Sequence, residues 1–420
     1  MIKRTIFTAL ESHLAKPEMT VLIGPRQVGK THLMKLLQND LDAKGEKTIF
    51  LSLDIEDHKQ FFVSQTTLIN YIRLQVGEKR SFIFIDEIQR KENAGLFLKG
   101  IYDMDLPYKF VISGSGSLDL KAKIKESMAG RKQLFVIEPV SFEEFVNFKT
   151  DSKYENTLQD FFAIEETRTQ NLLEEYMAFG GYPRVVLAQT VEKKKSEMDE
   201  IYRSYIERDI TDLLGVEKPD AFTNLLKVLA SQIGGLVNIT ELSSTIGISS
   251  KTIHHYLWYL EETFILKKIT PYYQNVRSEI TKAPMYYFLD TGIRNYIMGL
   301  FGLPVIPSAL SGHLFENVIF SILRQQTHFA STRIHFWRTR DNAEVDFVIN
   351  TGLEIIPVEV KHTKLNRAET TRSFKSFVNR YAPARAYVVH LGKKFEDRLN
   401  NTNIFIIPYY QTAEITKNIQ

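Results

Sequence analysis

The stretch VLIGPRQVGKT at residues 21–31 constrains this chain more than any other. Glycine, four residues and Gly-Lys-Thr make a phosphate-cradling loop. Glycine lets the backbone curl its N–H groups around a polyphosphate at a helix N-terminus. The loop follows the strand-like MTVLI and precedes the helical THLMKLLQND, so it demands a parallel α/β sheet with a nucleotide at its carboxyl edge. Gly24, Pro25, Arg26, Gln27, Val28, Gly29, Lys30 and Thr31 are the expected nucleotide contacts. Lys30 would reach the β and γ phosphates of ATP, and the Thr31 hydroxyl would take one site on Mg²⁺.

ATP hydrolysis needs an acid to work on water, and SFIFIDEIQR at 81–90 supplies two carboxylates at the end of an apolar run. Such runs suit a parallel strand buried on both faces. Asp86 is expected in the Mg²⁺ shell and Glu87 as the residue that orients or deprotonates the attacking water. The next strand, YKFVISGSGS, offers Ser113, which either senses the γ-phosphate or belongs to a flexible Ser/Gly turn. Arg131, in MAGRKQLFVIEP, either reaches a neighbouring subunit's phosphate or is a surface charge. The first of these roles implies a homo-oligomer.

The marks GPRQVGKT, IFIDEIQR, ISGSGS, the AGR and EPVSFEEF pair, and FGGYPRVV together resemble the bacterial and archaeal AAA+ superfamily ATPases that join a P-loop domain to a C-terminal domain of unknown function. In related signal-transducing P-loop ATPases a Gly-x-Pro element contacts the adenine. The resemblance therefore implies that Gly181 and Pro183 face the nucleotide; read from the residues, GGYP is also a turn between two helices.

Beyond the loop domain the pattern becomes long and helical, as in TQNLLEEYMAFG, which reads as a lid. VNITELSSTIGISSKTIHHYLWYLEETFILKKI then gives a helix, a turn at Gly247, a second helix capped by Ser249 or Ser250, and a strand that suggests a wing. Ile253, Tyr256, Leu257 and Leu260 form its inward stripe, leaving Ser250, Lys251, His254 and His255 outward, for DNA or for protein.

A second chemical signal lies in EVDFVINTGLEIIPVEVKHTK, where two strands, 344–349 and 355–361, are joined by a turn at NTG. Alternation sets Val345, Phe347 and Ile349 on one face and Asp346 on the other, with Glu359 and Lys361 sharing a side of the second strand. Asp346 and Glu359 are expected to hold a divalent ion with Glu316 as a third ligand, and Lys361 to position water. Over roughly the last 110 residues this Asp…Glu-x-Lys pattern resembles restriction-endonuclease-like nucleases, whose core also persists in domains that bind without cutting.

The expected architecture is thus α/β. An AAA+ P-loop parallel-sheet domain spans 1–150, a helical lid 151–215, a winged helix-turn-helix 216–275, and a restriction-endonuclease-like domain 276–420. The chain has 420 residues and no cysteine, which excludes thiol catalysis and zinc ribbons. No apolar run approaches a bilayer's span, so no membrane partner and a cytoplasmic location are expected. Residues 261–420 carry a net +6 by count, against +3 for the whole chain, which points to nucleic acid, DNA first, as a partner.

Overall fold

The computed structural model describes residues 1–115, 128–205, 216, 218–273, 275, 279, 282–303, 306–326 and 332–417. Its first unit is built on five parallel strands: β1 (Met19–Gly24), β2 (Thr48–Ser52), β3 (Ser81–Asp86), β4 (Tyr108–Ser115) and β5 (Lys132–Val136), in the spatial order β2-β3-β4-β1-β5. Every residue of β1 and β3 is buried, as their unbroken apolar runs require of strands covered on both faces. The helices α1 (Ile6–His13), α2 (Lys30–Ala43), α3 (Gln65–Val76) and α4 (Ala94–Tyr102) complete this unit. The expected tip of β4 at residues 116 and 117 lies outside the described residues.

The lid follows as α5 (Phe142–Lys149), α6 (Leu158–Ile164), α7 (Glu166–Phe179), α8 (Pro183–Leu187) and α9 (Val191–Ser204). Ser141 and Glu144 form a capping box at the start of α5. The expected end of the lid at residue 215 lies outside the described residues.

Three helices come next: α10 (Pro219–Ser231), α11 (Ile239–Ile246) and α12 (Ser250–Glu262). Gly247, at φ 76°, ends α11, and the Ser249 hydroxyl caps α12 by accepting from the Thr252 N–H at 3.1 Å. The stripe of Ile253, Tyr256, Leu257 and Leu260 is buried, while Lys251, His254 and His255 are exposed. Strand β6 (Leu266–Ile269) pairs antiparallel with β7 (Met285–Phe288), and α13 (Thr291–Ile297) packs on α7, α9 and α10. The expected boundary at 275/276 therefore separates two paired strands, and this module continues through α13.

The last unit is a six-stranded mixed sheet of β8 (Arg333–Arg338), β9 (Glu344–Asn350), β10 (Ile355–Lys361), β11 (Arg385–His390), β12 (Phe395–Leu399) and β13 (Thr402–Pro408), ordered β12-β13-β11-β10-β9-β8. Helix α14 (Ser308–Gln326) and helix α15 (Arg372–Tyr381) contribute to separate cores. After β13 the chain returns to the lid. Tyr409 packs against Phe142, Tyr410 stacks on Phe162, and the Tyr409 hydroxyl donates to the Thr169 carbonyl at 3.3 Å.

Candidate functional site

The phosphate loop joins the end of β1 to the start of α2. Gly24 has φ +152°, and a Cβ there would sit 2.0 Å from the Ile137 carbonyl oxygen, so only glycine fits. Gly29, at φ +96°, opens α2. Lys30 is buried and its Nζ donates to the carbonyls of Gly24 at 3.0 Å and Pro25 at 2.7 Å. Arg26, Gln27 and Val28 line the same cavity with Gly29, Lys30 and Thr31.

The end of β3 lies beside it. The Thr31 hydroxyl donates to Asp86 Oδ2 at 2.9 Å, and the Ser113 hydroxyl donates to Asp86 Oδ1. Ser113 is fully buried and also accepts from the Glu87 N–H at 3.2 Å. Its hydroxyl thus ties the acidic pair together. Glu87 itself has φ +57°, a left-handed conformation uncommon for a side chain of its kind, and Gln89 donates to its carboxylate. The turn aims Glu87 into a cavity of about 1100 Å³ that it shares with Lys30 and Thr31. Thr31 and Asp86 present hard oxygen donors side by side, the chemistry Mg²⁺ takes.

The far walls of the cavity come from elsewhere in the chain. Arg4 bridges them: Nη1 donates to Val28 O at 3.2 Å, Nη2 to Glu138 O at 2.6 Å, and Nε pairs with Glu144 at 2.9 Å. Pro183 and Arg184 of α8 line the cavity, and Arg184 donates to Gln27 at 3.2 Å and to Glu200 at 2.7 and 3.0 Å. Sequence reasoning missed Arg4, Glu144 and Arg184, although the Ser141-x-x-Glu144 signature was readable.

Gly181 departs from expectation. Its N–H donates to Asp290 Oδ2 at 2.7 Å and its carbonyl accepts from Val140 N at 2.7 Å. A Cβ there would meet Val140 O at 2.2 Å. The glycine serves close packing and is buried away from the nucleotide cavity, whereas Pro183 does face it. Arg131 also lies elsewhere. Its carbonyl accepts from Met19 N at the start of β1, roughly 16 Å of strand from the phosphate loop, and its guanidinium pairs with Asp103 at 2.7 Å.

In the C-terminal unit a β-bulge changes the expected alternation. His335 faces Val348 and Trp337 faces Val345, so Phe336 stands opposite two residues, Asp346 and Phe347. Val345 consequently packs in the α15 core while Phe347 and Ile349 pack in the main core. The β9–β10 ladder ends at the Phe347–Val358 pair, and beyond it Asp346 Oδ2 accepts the Val360 N–H at 2.6 Å in place of a backbone carbonyl. Lys361 pairs with Glu359 at 2.7 Å, and Thr371 donates to Glu359 at 3.2 Å. From α14, Glu316 accepts from the Tyr287 hydroxyl of β7, a partner not foreseen from sequence.

The four expected side chains feel one another's charge. Burial, then the Asp346 charge, pushes Glu316 well above the carboxylate range. Burial raises Asp346 to about 7 against the Val360 hydrogen bond, with Glu359 adding to the rise. For Lys361 burial works downward, and the Glu359 charge and hydrogen bond outweigh it, so its ammonium is held more firmly than usual. Yet among the described residues no three His, Cys, Asp or Glu side chains are arranged to hold a metal ion. Glu316, Asp346 and Glu359 come together electrostatically, each already committed to a protein donor, and do not form the expected ion cage.

Residues 16–146 match the AAA domain family. Two further regions match domains of unknown function, 170–303 (DUF8612) and 311–411 (DUF4143), so the first of these spans β7 and α13 as the strand pairing does. An uncharacterized protein of Methanocaldococcus jannaschii is 24% identical over 408 residues, covering 95% of this chain and 84% of its own length. One from Mycobacterium tuberculosis is 24% identical over 399 residues, covering 93% and 80%. One from Haemophilus influenzae is 25% identical over 353 residues, covering 81% of each. Among solved structures, replication initiator DnaA bound to AMPPCP and single-stranded DNA is 15% identical with a TM-score of 0.31, covering 62% of this chain and 90% of that one. A katanin structure is 17% identical with a TM-score of 0.25, covering 34% and 54%. Likenesses this small leave the AAA assignment resting on the family match and on the loop geometry. Among the described residues, no helix is long and apolar enough to cross a membrane.

Proposed function

We propose that this chain binds and hydrolyses ATP in its AAA domain and passes the nucleotide state to the two following modules, the last of which contacts nucleic acid. The observation that carries the reading is the network of Thr31, Asp86, Ser113 and Glu87 beside Lys30. Lys30 holds the β and γ phosphates, the loop amides take the remaining charge, and Thr31 with Asp86 holds Mg²⁺. When bound, that ion shields phosphate charge. Glu87, held in its left-handed turn by Ser113 and Gln89, orients the attacking water and accepts its proton.

The route out of the site runs through the lid. Arg184 ties the cavity to α9 through Glu197 and Glu200, and Gly181, two residues before Pro183, is bonded to Asp290 at the start of α13. A nucleotide that shifts α8 therefore pulls on α13. Glu87→Gln is expected to bind ATP with wild-type affinity and to turn it over at least about 100-fold more slowly, with Lys30→Ala as the non-binding control. Wild-type turnover by the Glu87→Gln protein would remove Glu87 from the chemistry.

A further inference from the structure

In the C-terminal unit six described basic side chains outside α15 are paired with carboxylates. Arg338 pairs with Glu344, Lys361 with Glu359, Lys364 with Glu166, Arg367 with Glu369, Arg385 with Glu354 and Lys394 with Glu396. Helix α15 breaks this habit. Phe374, Phe377 and Val378 bury one side of it in a core shared with Trp337 and Val345. On the opposite side Arg372, Lys375 and Arg380 are exposed, and among the described residues none of the three has a carboxylate partner. No Asp or Glu occurs anywhere from 370 to 395, so the sequence itself leaves these charges unmatched.

We propose that the exposed face of α15 is a cradle for the sugar–phosphate backbone of nucleic acid. This rests on the reading that the last module contacts nucleic acid, and it assigns the contact surface. Arg372, Lys375 and Arg380 line a shallow trough of about 500 Å³ with Ser376 and Asn379, whose side chains add neutral donors. From Arg372 to Arg380 the row runs roughly 12 Å along the helix axis, enough to meet several phosphates of one strand. Arginine suits the task because its planar fork grips two phosphate oxygens at once. The polar end of the row is fixed in place: the Asn400 side chain donates to Asn379 Oδ1 at 2.9 Å.

Other partners fit this face poorly. A membrane surface is gripped by apolar side chains that insert beside the charges, and the apolar residues of α15 all point into the core. A protein interface draws its affinity from buried aromatic or aliphatic anchors, and the trough has none. Its position does fit a nucleic acid path. The cap of α15, Thr371, accepts from Phe374 N at 3.1 Å and donates to Glu359 Oε2, so the trough begins beside the Glu359–Lys361 pair.

The test uses the full chain and fluorescence anisotropy with a labelled 30-base-pair duplex DNA of mixed sequence and, separately, one of its single strands, from 50 to 300 mM KCl. The triple variant Arg372→Ala/Lys375→Ala/Arg380→Ala is expected to bind at least tenfold more weakly at 50 mM. Its log K against log salt slope is expected to fall by about 2–3, since each lost phosphate contact removes about 0.9 on duplex and 0.7 on single strand. Trp337 fluorescence, from a ring that packs on Phe377 of α15, and an unchanged urea midpoint verify that the variant's last unit is folded. A triple variant of equal charge change on the AAA surface, Lys44→Ala/Lys59→Ala/Lys79→Ala, should bind as wild type. Equal losses in both variants would reduce the effect to net charge and overturn the assignment. Unchanged binding by the α15 variant would overturn it too while leaving nucleic acid as the partner. Failure of the wild type to bind either nucleic acid would remove the partner itself. Loss of binding to phosphatidylserine vesicles with nucleic acid binding intact would hand the face to lipid and sink the proposal.

Discussion

Asp290 joins the lid to the module that follows, and its protonation makes a measurable prediction. The carboxylate is wholly buried. Oδ1 caps α13 by accepting from Ile293 N at 2.9 Å, and Oδ2 accepts from Gly181 N at 2.7 Å. Burial nevertheless pushes its pKa from 3.8 to about 6, because those hydrogen bonds recover only part of the lost hydration. A carboxyl raised in the folded state binds more protons folded than unfolded, so its contribution is intact below pH 4 and is lost as pH climbs through 6. At about 1.4 kcal/mol per pH unit of displacement, the loss is ~3 kcal/mol.

Asp290→Asn removes this titration and leaves one buried N–H facing an NH₂ group, at a cost of about 1–3 kcal/mol. The variant's stability should therefore be flatter between pH 4 and 7. The wild-type advantage should shrink by ~3 kcal/mol across that window. Urea unfolding of both proteins at pH 4, 5, 6 and 7 reads the difference, with Trp258 fluorescence reporting the module that holds Asp290 and Trp337 the unit beyond it. Glu316 and Asp346, also raised, are present in both proteins and cancel. A wild-type advantage constant to within about 1 kcal/mol would refute the reasoning.

Gly181→Ala should destabilise the lid by about 1–3 kcal/mol, because the added methyl meets the Val140 carbonyl oxygen, a backbone atom that cannot swing away; an unchanged urea midpoint would count against that packing role. Asp346→Ala should leave ATP turnover nearly intact, the two sites being in separate units; a clear loss of turnover would refute that separation.

Much of the AAA domain was legible because its chemistry is written in local spacing. A phosphate loop needs its glycines, Lys30 and Thr31 within eight residues, and a buried parallel strand needs an unbroken apolar run before Asp86. What escaped depends on contacts between distant segments. Asp346 looked like one step in a regular alternation, and only the pairing of β9 with β8 reveals the bulge that turns it toward Val360. Gly181 carried a ligand-binding pattern, yet its neighbours Val140 and Asp290 come from 41 residues before and 109 residues after. Arg131 held a charge with two uses, and its pairing with Asp103, 28 residues earlier, was not written in local spacing. The partner strand of β6 was hidden because 15 residues separate the two strands, too many for a turn signal to announce the pair.

The return of the chain to the lid has a consequence for synthesis. Phe142 and Phe162 are buried partly by Tyr409 and Tyr410, which a ribosome produces more than 200 residues later. At ~5–20 residues per second the finished lid waits about 10–50 s with an uncovered aromatic patch. During that interval the nascent chain is a client for holding chaperones, until the turn after β13 covers the patch.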